Sequence, residues 1–190
     1  MKETIINYAN DIVGICDNLP HDKIEEVCNA LLNAYKSKKK IFIAGNGGSA
    51  GTANHFTCDF GKNAVKSESD RPKIISLSTN VEVLTALGND FSYADVFTEQ
   101  LKNLMSDGDL IILISASGNS PNVVTAAEYV KSRGGTVIGF TGFSGGKLKE
   151  LSDVSIHIPC DSYEKVEDLH MIITHIIVCI FKEMNLGDKQ

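Results

Sequence analysis

The stretch Ile41-Phe-Ile-Ala-Gly45-Asn-Gly-Gly-Ser49 passes from a short apolar run directly into a glycine-rich turn. The apolar run is typical of a buried β-strand, because β-branched and aromatic residues suit a pleated surface. Its glycines allow a tight turn and a close approach of the backbone to a ligand. Ser49 then begins a helix, whose free N–H groups favour an anion. The stretch is neither a Walker A loop, which continues into Gly-Lys-Ser/Thr, nor the dinucleotide pattern GxGxxG.

The same change from an apolar run to a helical pattern recurs along the chain. The sequence predicts strands near 41–44, 74–77, 110–114, 136–140 and 154–158. It predicts helices near 49–62, 81–103, 121–133, 146–151 and, long and apolar, 163–185. Continuous apolar strands separated by helices are typical of a parallel sheet covered on both faces. We therefore predict an α/β fold, a doubly wound five-stranded parallel sheet of the flavodoxin-like type, with a polar surface loop at 63–71.

The first forty residues have the pattern of two helices. Apolar residues recur every three to four positions from Ile5 to Cys16 and again from Ile24 to Tyr35. A length of 190 residues, of which 43% are hydrophobic, suits one domain with a single buried core. We predict one domain over 1–190, with an N-terminal helical hairpin over 1–38 and an α/β core over 39–190 that ends in a long helix.

Composition limits the classes of partner. The net charge of −6 disfavours a generally basic surface, so no direct nucleic-acid binding is expected. No stretch approaches the roughly 20 apolar residues that cross a bilayer, and the N-terminus interleaves acidic with apolar residues, unlike a signal peptide. The five cysteines form no CxxC pair and are simplest to explain as reduced thiols. These features predict a cytoplasmic protein without a membrane partner.

A second loop, Ser115-Ala-Ser117-Gly-Asn-Ser120-Pro121, follows the predicted strand at 110–114. Pro121 suits the first turn of a helix, with Ser120 as its N-cap. Hydroxyls at a helix N-terminus bind a phosphate through neutral donors. Each loop alone could be an ordinary capped turn between a strand and a helix. Two such loops at the carboxyl ends of parallel strands favour a phosphorylated ligand.

These two loops carry a resemblance to a known family. Together with Leu87-Gly-Asn-Asp90-Phe91, Thr141-Gly142 and the histidine-bearing last helix, they resemble the sugar isomerase (SIS) domain, and most of all the phosphoheptose isomerases. The resemblance implies an aldose–ketose isomerase that interconverts sedoheptulose 7-phosphate and D-glycero-D-manno-heptose 7-phosphate through an enediol(ate). It implies that the phosphosugar is bound by Asn46, Gly47, Gly48, Ser49, Asn80, Ser115, Ala116, Ser117, Ser120 and Glu167.

Acid–base chemistry needs a carboxylate and a histidine near the reacting carbons. His55 and Asp59 are four residues apart and share one face of the helix predicted at 49–62. The resemblance places the catalytic groups at Asp59 and His175. It implies one Zn²⁺ per subunit, held by His55, Asp59, Glu167 and His175. Helical spacing alone would instead pair Asp168 with His175, whereas motif position favours Glu167.

Several residues depart from the family pattern. The family usually has Glu at position 59, Gln at 167 and Asp at 80, often Thr at 116 and often Arg at 63, where this chain has Asp59, Glu167, Asn80, Ala116 and Asn63. The departures at Asp59, Glu167 and Asn63 keep an alternative open, a non-catalytic SIS protein that binds a phosphosugar or a protein partner such as a replication initiator. A phosphosugar-sensing regulator is a third alternative, although such proteins usually carry a DNA-binding domain.

The apolar surface of the helices predicts an assembly. The hairpin carries an apolar stripe, and the last helix is apolar on several sides, which one sheet face cannot cover. Packing copies together in closed symmetry would bury these surfaces. The resemblance implies the same, since phosphoheptose isomerases are homotetramers with sites between subunits. We therefore predict a homotetramer.

Overall fold

The computed structural model describes residues 1–66 and 70–187, so the predicted loop at 63–71 lies in part outside the described residues. Its helices are α1 (Lys2–Cys16), α2 (His21–Lys36), α3 (Gly48–Asn63), α4 (Val81–Asp90), α5 (Val96–Leu104), α6 (Pro121–Ser132), α7 (Gly146–Leu151) and α8 (Tyr163–Glu183). Its strands are β1 (Lys40–Gly45), β2 (Lys73–Ser76), β3 (Leu110–Ser115), β4 (Thr136–Thr141) and β5 (Val154–His157). The predicted α/β fold with leading helices is confirmed.

All five strands are parallel and lie in the order β2-β1-β3-β4-β5. Side chains of β1 alternate between the two faces of the sheet. Ile41 and Ile43 pack into the core beneath α2, α3 and α8, whereas Phe42 and Ala44 pack into the core beneath α5 and α6. Burial on both faces explains why the strands are continuously apolar in sequence.

The prediction of one continuous helix at 81–103 is wrong, because the helix is interrupted. The structure divides this stretch into α4, one turn of 3-10 helix at Tyr93–Asp95, and α5. The Ser92 hydroxyl donates to Asp95 at 2.6 Å across the start of that turn. Such a local side-chain bond offers the backbone an alternative to continuing the helix. The break brings Tyr93 to the carboxyl end of the sheet.

Strand order reverses at β1, because β2 lies on one side of it and β3 on the other. The turns after β1 and β3 therefore emerge next to each other at the carboxyl edge, where doubly wound sheets bind ligands. α8 packs against α3 and runs in the same direction, with His55 beside His175 and Phe60 beside Phe181. Within the described part of the chain, no helix has both the length and the apolar composition that a membrane crossing requires.

His170, on the buried side of α8, is enclosed in the core. Its Nε2 lies 3.3 Å from the Thr141 carbonyl oxygen, and its ring meets Phe140 edge-on. Among the described residues its Nδ1 has no hydrogen-bond partner. Burial lowers the pKa of His170 from 6.5 to about 4, and the bond to Thr141 opposes this only in part. His170 is therefore a neutral structural residue.

This buried histidine makes stability depend on pH. Between pH 6.5 and 4 the unfolded chain binds a proton at His170 that the folded chain does not bind, so the free energy of unfolding falls as pH falls. We expect this residue to account for up to about 3 kcal/mol of the loss. Urea unfolding at several pH values should show a shallower acid slope in His170→Gln than in the exposed control His21→Gln. Equal slopes in the two variants would contradict the prediction.

Candidate functional site

The turn after β1 forms the first half of the site. Gly47 has a φ of +54°, a conformation that other residues rarely adopt. A side chain at Gly45 would overlap Ser49, and one at Gly48 would overlap the carboxylate of Glu167. The glycines therefore let the chain reverse directly above the first turn of α3, where Ser49 is buried.

The turn after β3 forms the second half. The hydroxyl oxygens of Ser115 and Ser120 are 3.2 Å apart, and the Gly118 N–H donates to Ser115 Oγ at 3.2 Å. The Asn119 N–H donates to Ser117 Oγ at 3.3 Å. Ser120 stands at the predicted N-cap position of α6, but its hydroxyl contacts Ser115 instead of capping the helix. The hydroxyls of Ser115 and Ser120 are thus directed toward each other across the turn.

A cavity of about 150 Å³ lies between the two turns. It is lined by Asn46, Ser49, Ile114, Ser115, Ala116, Ser117, Ser120, Tyr163 and Glu167. None of these side chains is cationic, so an anion here would be held by hydroxyls and by the N–H groups that begin α3 and α6. The lining includes most of the residues that the family resemblance implies for phosphosugar binding.

His55, Asp59 and His175 come together where α3 meets α8. The Nε2 atoms of the two histidines are 2.8 Å apart, and Asp59 Oδ2 lies 3.2 Å from the Nε2 of His55 and 3.9 Å from that of His175. Lys62 Nζ lies 3.5 Å from the other oxygen, Asp59 Oδ1. Two imidazoles and a carboxylate whose ligand atoms lie within 4.8 Å of one another fit a divalent transition metal.

Glu167 stands apart from this trio. Its carboxylate lies against Gly48 at the edge of the cavity between the two turns. Burial raises the pKa of Glu167, and the nearby carboxylates of Glu164 and Asp168 raise it further. Among the described residues, the metal-ligand group contains only His55, Asp59 and His175, so the role of Glu167 as a fourth ligand stays a prediction.

Asp168, which spacing alone paired with His175, has a different partner. The Tyr8 hydroxyl of α1 donates to Asp168 Oδ2 at 2.6 Å, and this bond raises the pKa of Tyr8 to about 12. Nearby, Lys165 Nζ lies 2.5 Å from Asp11 Oδ2, which also joins α8 to α1. Asp168 therefore fastens α1 to α8 and is not part of the metal-ligand group.

Two predicted ligand-binding residues also serve the backbone. The Asn80 side chain caps α4 by accepting the Val83 N–H at 3.0 Å. The Ala116 carbonyl accepts the Gly142 N–H at 2.8 Å, which links the second turn to the end of β4. The predicted roles of Asn80 and Ala116 toward a ligand stay predictions.

Three side chains at the site were missed by the sequence analysis. Tyr163 lines the cavity from α8, and its ring packs against Phe143 with centroids 4.7 Å apart. Tyr93 and Asn122 bond to Asn46. Asn122 follows Pro121, so its place in the first turn of α6 was readable from sequence. Nothing in the spacing signals Tyr93, because its position depends on the break between α4 and α5.

The chain is similar to a known protein family, to named relatives and to solved structures. The family model described as the SIS domain matches residues 7–142. The phosphoheptose isomerase of Sulfurimonas denitrificans is 38% identical, over 99% of this chain and 91% of the relative. That of Aneurinibacillus thermoaerophilus is also 38% identical, over 100% and 98% respectively. The solved phosphoheptose isomerase of Neisseria gonorrhoeae superposes with a TM-score of 0.87 at 26% identity, over 96% of this chain and 98% of that one.

The position of Glu167 generates a prediction about anion affinity. A carboxylate at the edge of the cavity repels an incoming anion, so Glu167→Gln should bind inorganic phosphate at least about threefold more tightly at pH 8. Calorimetric titration in metal-free buffer measures this. Glu183→Gln, which alters an exposed carboxylate at the far end of the same helix, is the matched control. Unchanged or weaker phosphate binding by Glu167→Gln would refute the expectation.

Proposed function

The chain belongs to the SIS domain family and, within it, to the phosphoheptose isomerases, and we propose that it interconverts sedoheptulose 7-phosphate and D-glycero-D-manno-heptose 7-phosphate. The observation that carries this substrate is the spacing of two groups on one helix. Ser49 lies in the first turn of α3, and His55 follows six residues later, about 9 Å along the axis. A seven-carbon sugar carries its phosphate and its reacting carbons at opposite ends, and this separation suits it.

The reaction moves one carbon-bound proton and one hydroxyl proton by way of an enediol(ate). We assign the carbon-bound proton to Asp59, whose carboxylate is half-buried at the junction of α3 and α8. We assign the transfer of the hydroxyl proton between the two oxygens to the imidazole of His175, which lies beside that carboxylate. Asp59 is one methylene shorter than the usual Glu, so the substrate carbon must lie closer to α3 than in most relatives.

The metal we propose at His55, Asp59 and His175 is Zn²⁺, one per subunit. Imidazole nitrogens and carboxylate oxygens are ligands that zinc accepts in proteins. Bound there, it would polarise the substrate oxygens and stabilise the enediolate charge. Glu167 is proposed as the fourth ligand because of its position in the family motif. The helix itself does not bring it to the other ligands, because Glu167 lies eight residues before His175, about 12 Å along α8.

The proposed assembly is a homotetramer, and the proposed compartment is the cytoplasm. No side chain of α1 is fully buried, and Ile5, Ile6 and Val13 are exposed on it. An apolar groove of about 510 Å³ between α2 and α8 is lined by residues that include Ile24, Ile176, Ile180 and Met184. Contact with further subunits would cover these surfaces. The five cysteines are free thiols, which suits a reducing compartment.

Turnover tests the proposed reaction directly. Purified protein given sedoheptulose 7-phosphate and Zn²⁺ should form the aldoheptose 7-phosphate, measured by chromatography. Asp59→Asn and His175→Asn should each lower kcat by about a hundredfold or more, because each removes a proton-transfer group. Asp17→Asn, at the exposed end of α1, is the control and should keep full activity. Absence of product with and without Zn²⁺, despite phosphate binding, would support a non-catalytic phosphosugar-binding protein instead.

Light scattering tests the proposed assembly. The chain has a mass of 20.6 kDa, so we expect a species of about four times that mass at micromolar concentration. Val13→Asp places a charge on the exposed apolar face of α1 and should shift the protein toward smaller species. Asn10→Asp is the control, because it adds the same charge at an exposed position of α1 that is already polar. A stable 20.6 kDa species in the unsubstituted protein would contradict a homotetramer.

A further inference from the structure

Two side-chain amides join the turn after β1 to the start of α6, which directly follows the turn after β3. Asn46, in the turn after β1, donates from Nδ2 to Asn122 Oδ1 at 2.9 Å, and Asn122 donates from its Nδ2 to Asn46 Oδ1 at 2.9 Å. Asn122 lies in the first turn of α6 and is only 1% exposed. A reciprocal pair at such a buried position is costly to break, because it would leave polar groups unsatisfied. The start of α6 is thereby held against the turn before α3.

Tyr93 adds a third bond to this pair. Its hydroxyl donates to Asn46 Oδ1 at 2.8 Å. The 3-10 turn that carries Tyr93 is itself fixed to α6, since the Thr125 hydroxyl donates to the Ala94 carbonyl at 2.6 Å. Most of the Tyr93 side chain is exposed to solvent. Its hydroxyl therefore approaches Asn46 from an element whose position α6 already determines.

The hydrogen-bonding capacity of Asn46 is largely used by these partners. Its carbonyl oxygen accepts two bonds, and one of its two amide hydrogens goes to Asn122. An asparagine side chain offers two acceptor sites and two donor hydrogens, so a single N–H remains for a ligand. The sequence predicted Asn46 as a substrate-binding residue, whereas its bonds indicate that it mainly positions the turn.

We infer that Tyr93, Asn46 and Asn122 form an inter-loop bridge between the two serine turns, which are the turn after β1 that leads to Ser49 and the turn after β3 that carries Ser115, Ser117 and Ser120. The bridge sets the distance between these turns and so positions their donors around a phosphate. Tyr93 is a positioning residue in this bridge and does not touch the reacting carbons. The inference rests on the proposed function for the identity of the phosphosugar, but not for phosphate binding itself. Preorganised donors bind an anion more tightly than mobile ones because less ordering remains to be done on binding.

Tyr93→Phe tests the inter-loop bridge by removing one hydroxyl and leaving the ring. Loss of one such hydrogen bond should weaken binding of inorganic phosphate about threefold to tenfold. The KM for sedoheptulose 7-phosphate should rise by the same factor, while kcat stays within about twofold of the unsubstituted enzyme. Tyr129→Phe, on α6 but outside the bridge, should leave both values unchanged. Asn122→Ala, which removes both bonds of the buried pair without adding a charge, should weaken phosphate binding more than Tyr93→Phe does.

The two ligands separate the inter-loop bridge from other roles of Tyr93. Inorganic phosphate has no sugar, so a rise in KM without weaker phosphate binding would mean that Tyr93 contacts the sugar, and would overturn the inference. Unchanged phosphate affinity and KM in Tyr93→Phe would also overturn it, as would a fall in kcat alone. The phosphate titration needs no turnover. It therefore judges the bridge even if the protein fails to isomerise sedoheptulose 7-phosphate, so the two failures are distinguishable.

Discussion

The parallel packing of α3 against α8 is the constraint on which the candidate metal site depends. The Phe60 ring lies 5.0 Å from that of Phe56 and 4.8 Å from that of Phe181, and aromatic pairs of this kind contribute about 0.5–1.5 kcal/mol beyond burial. Because the two helices run in the same direction, this cluster also fixes the height at which His55 faces His175. Sliding either helix by one turn would separate the imidazoles by about 5.4 Å. The apolar core thus determines the geometry of the polar residues above it.

A second consequence of this packing concerns the division of the site. The serine turns stand on β1 and β3, which are adjacent and, apart from Lys40, buried. The proposed acid–base groups stand instead on helices that begin or pass close to those turns. Glu167 belongs to α8 but reaches the edge of the cavity, and His175 on the same helix reaches the metal-ligand group. A single helix therefore connects the cavity between the serine turns to the metal-ligand group.

The sequence predicted the parts of the fold that follow from local pattern. Apolar runs located all five strands, and the glycine and serine turns after β1 and β3 were recognisable because they combine turn residues with helix starts. The break between α4 and α5 escaped prediction, since the apolar periodicity continues through it and a hydroxyl–carboxylate bond at Ser92 interrupts the helix. The position of Tyr93 was missed for the same reason. The preference for Glu167 over Asp168 came from motif position, and the Tyr8 bond that engages Asp168 joins residues 160 positions apart.

The cavity between the serine turns has no cationic side chain, and this bears on how a ligand arrives. Hydroxyl and N–H dipoles attract an anion strongly at contact, but their field declines with distance much faster than that of a lysine or an arginine. A phosphosugar approaching from solution meets first the field of a protein with a net charge of −6, which repels it. Dissolved salt shortens the range of that repulsion to about 8 Å at physiological ionic strength, while the buried donors are screened much less. Capture of the substrate should therefore become faster as ionic strength rises, the reverse of the behaviour of enzymes that draw phosphates in with basic patches.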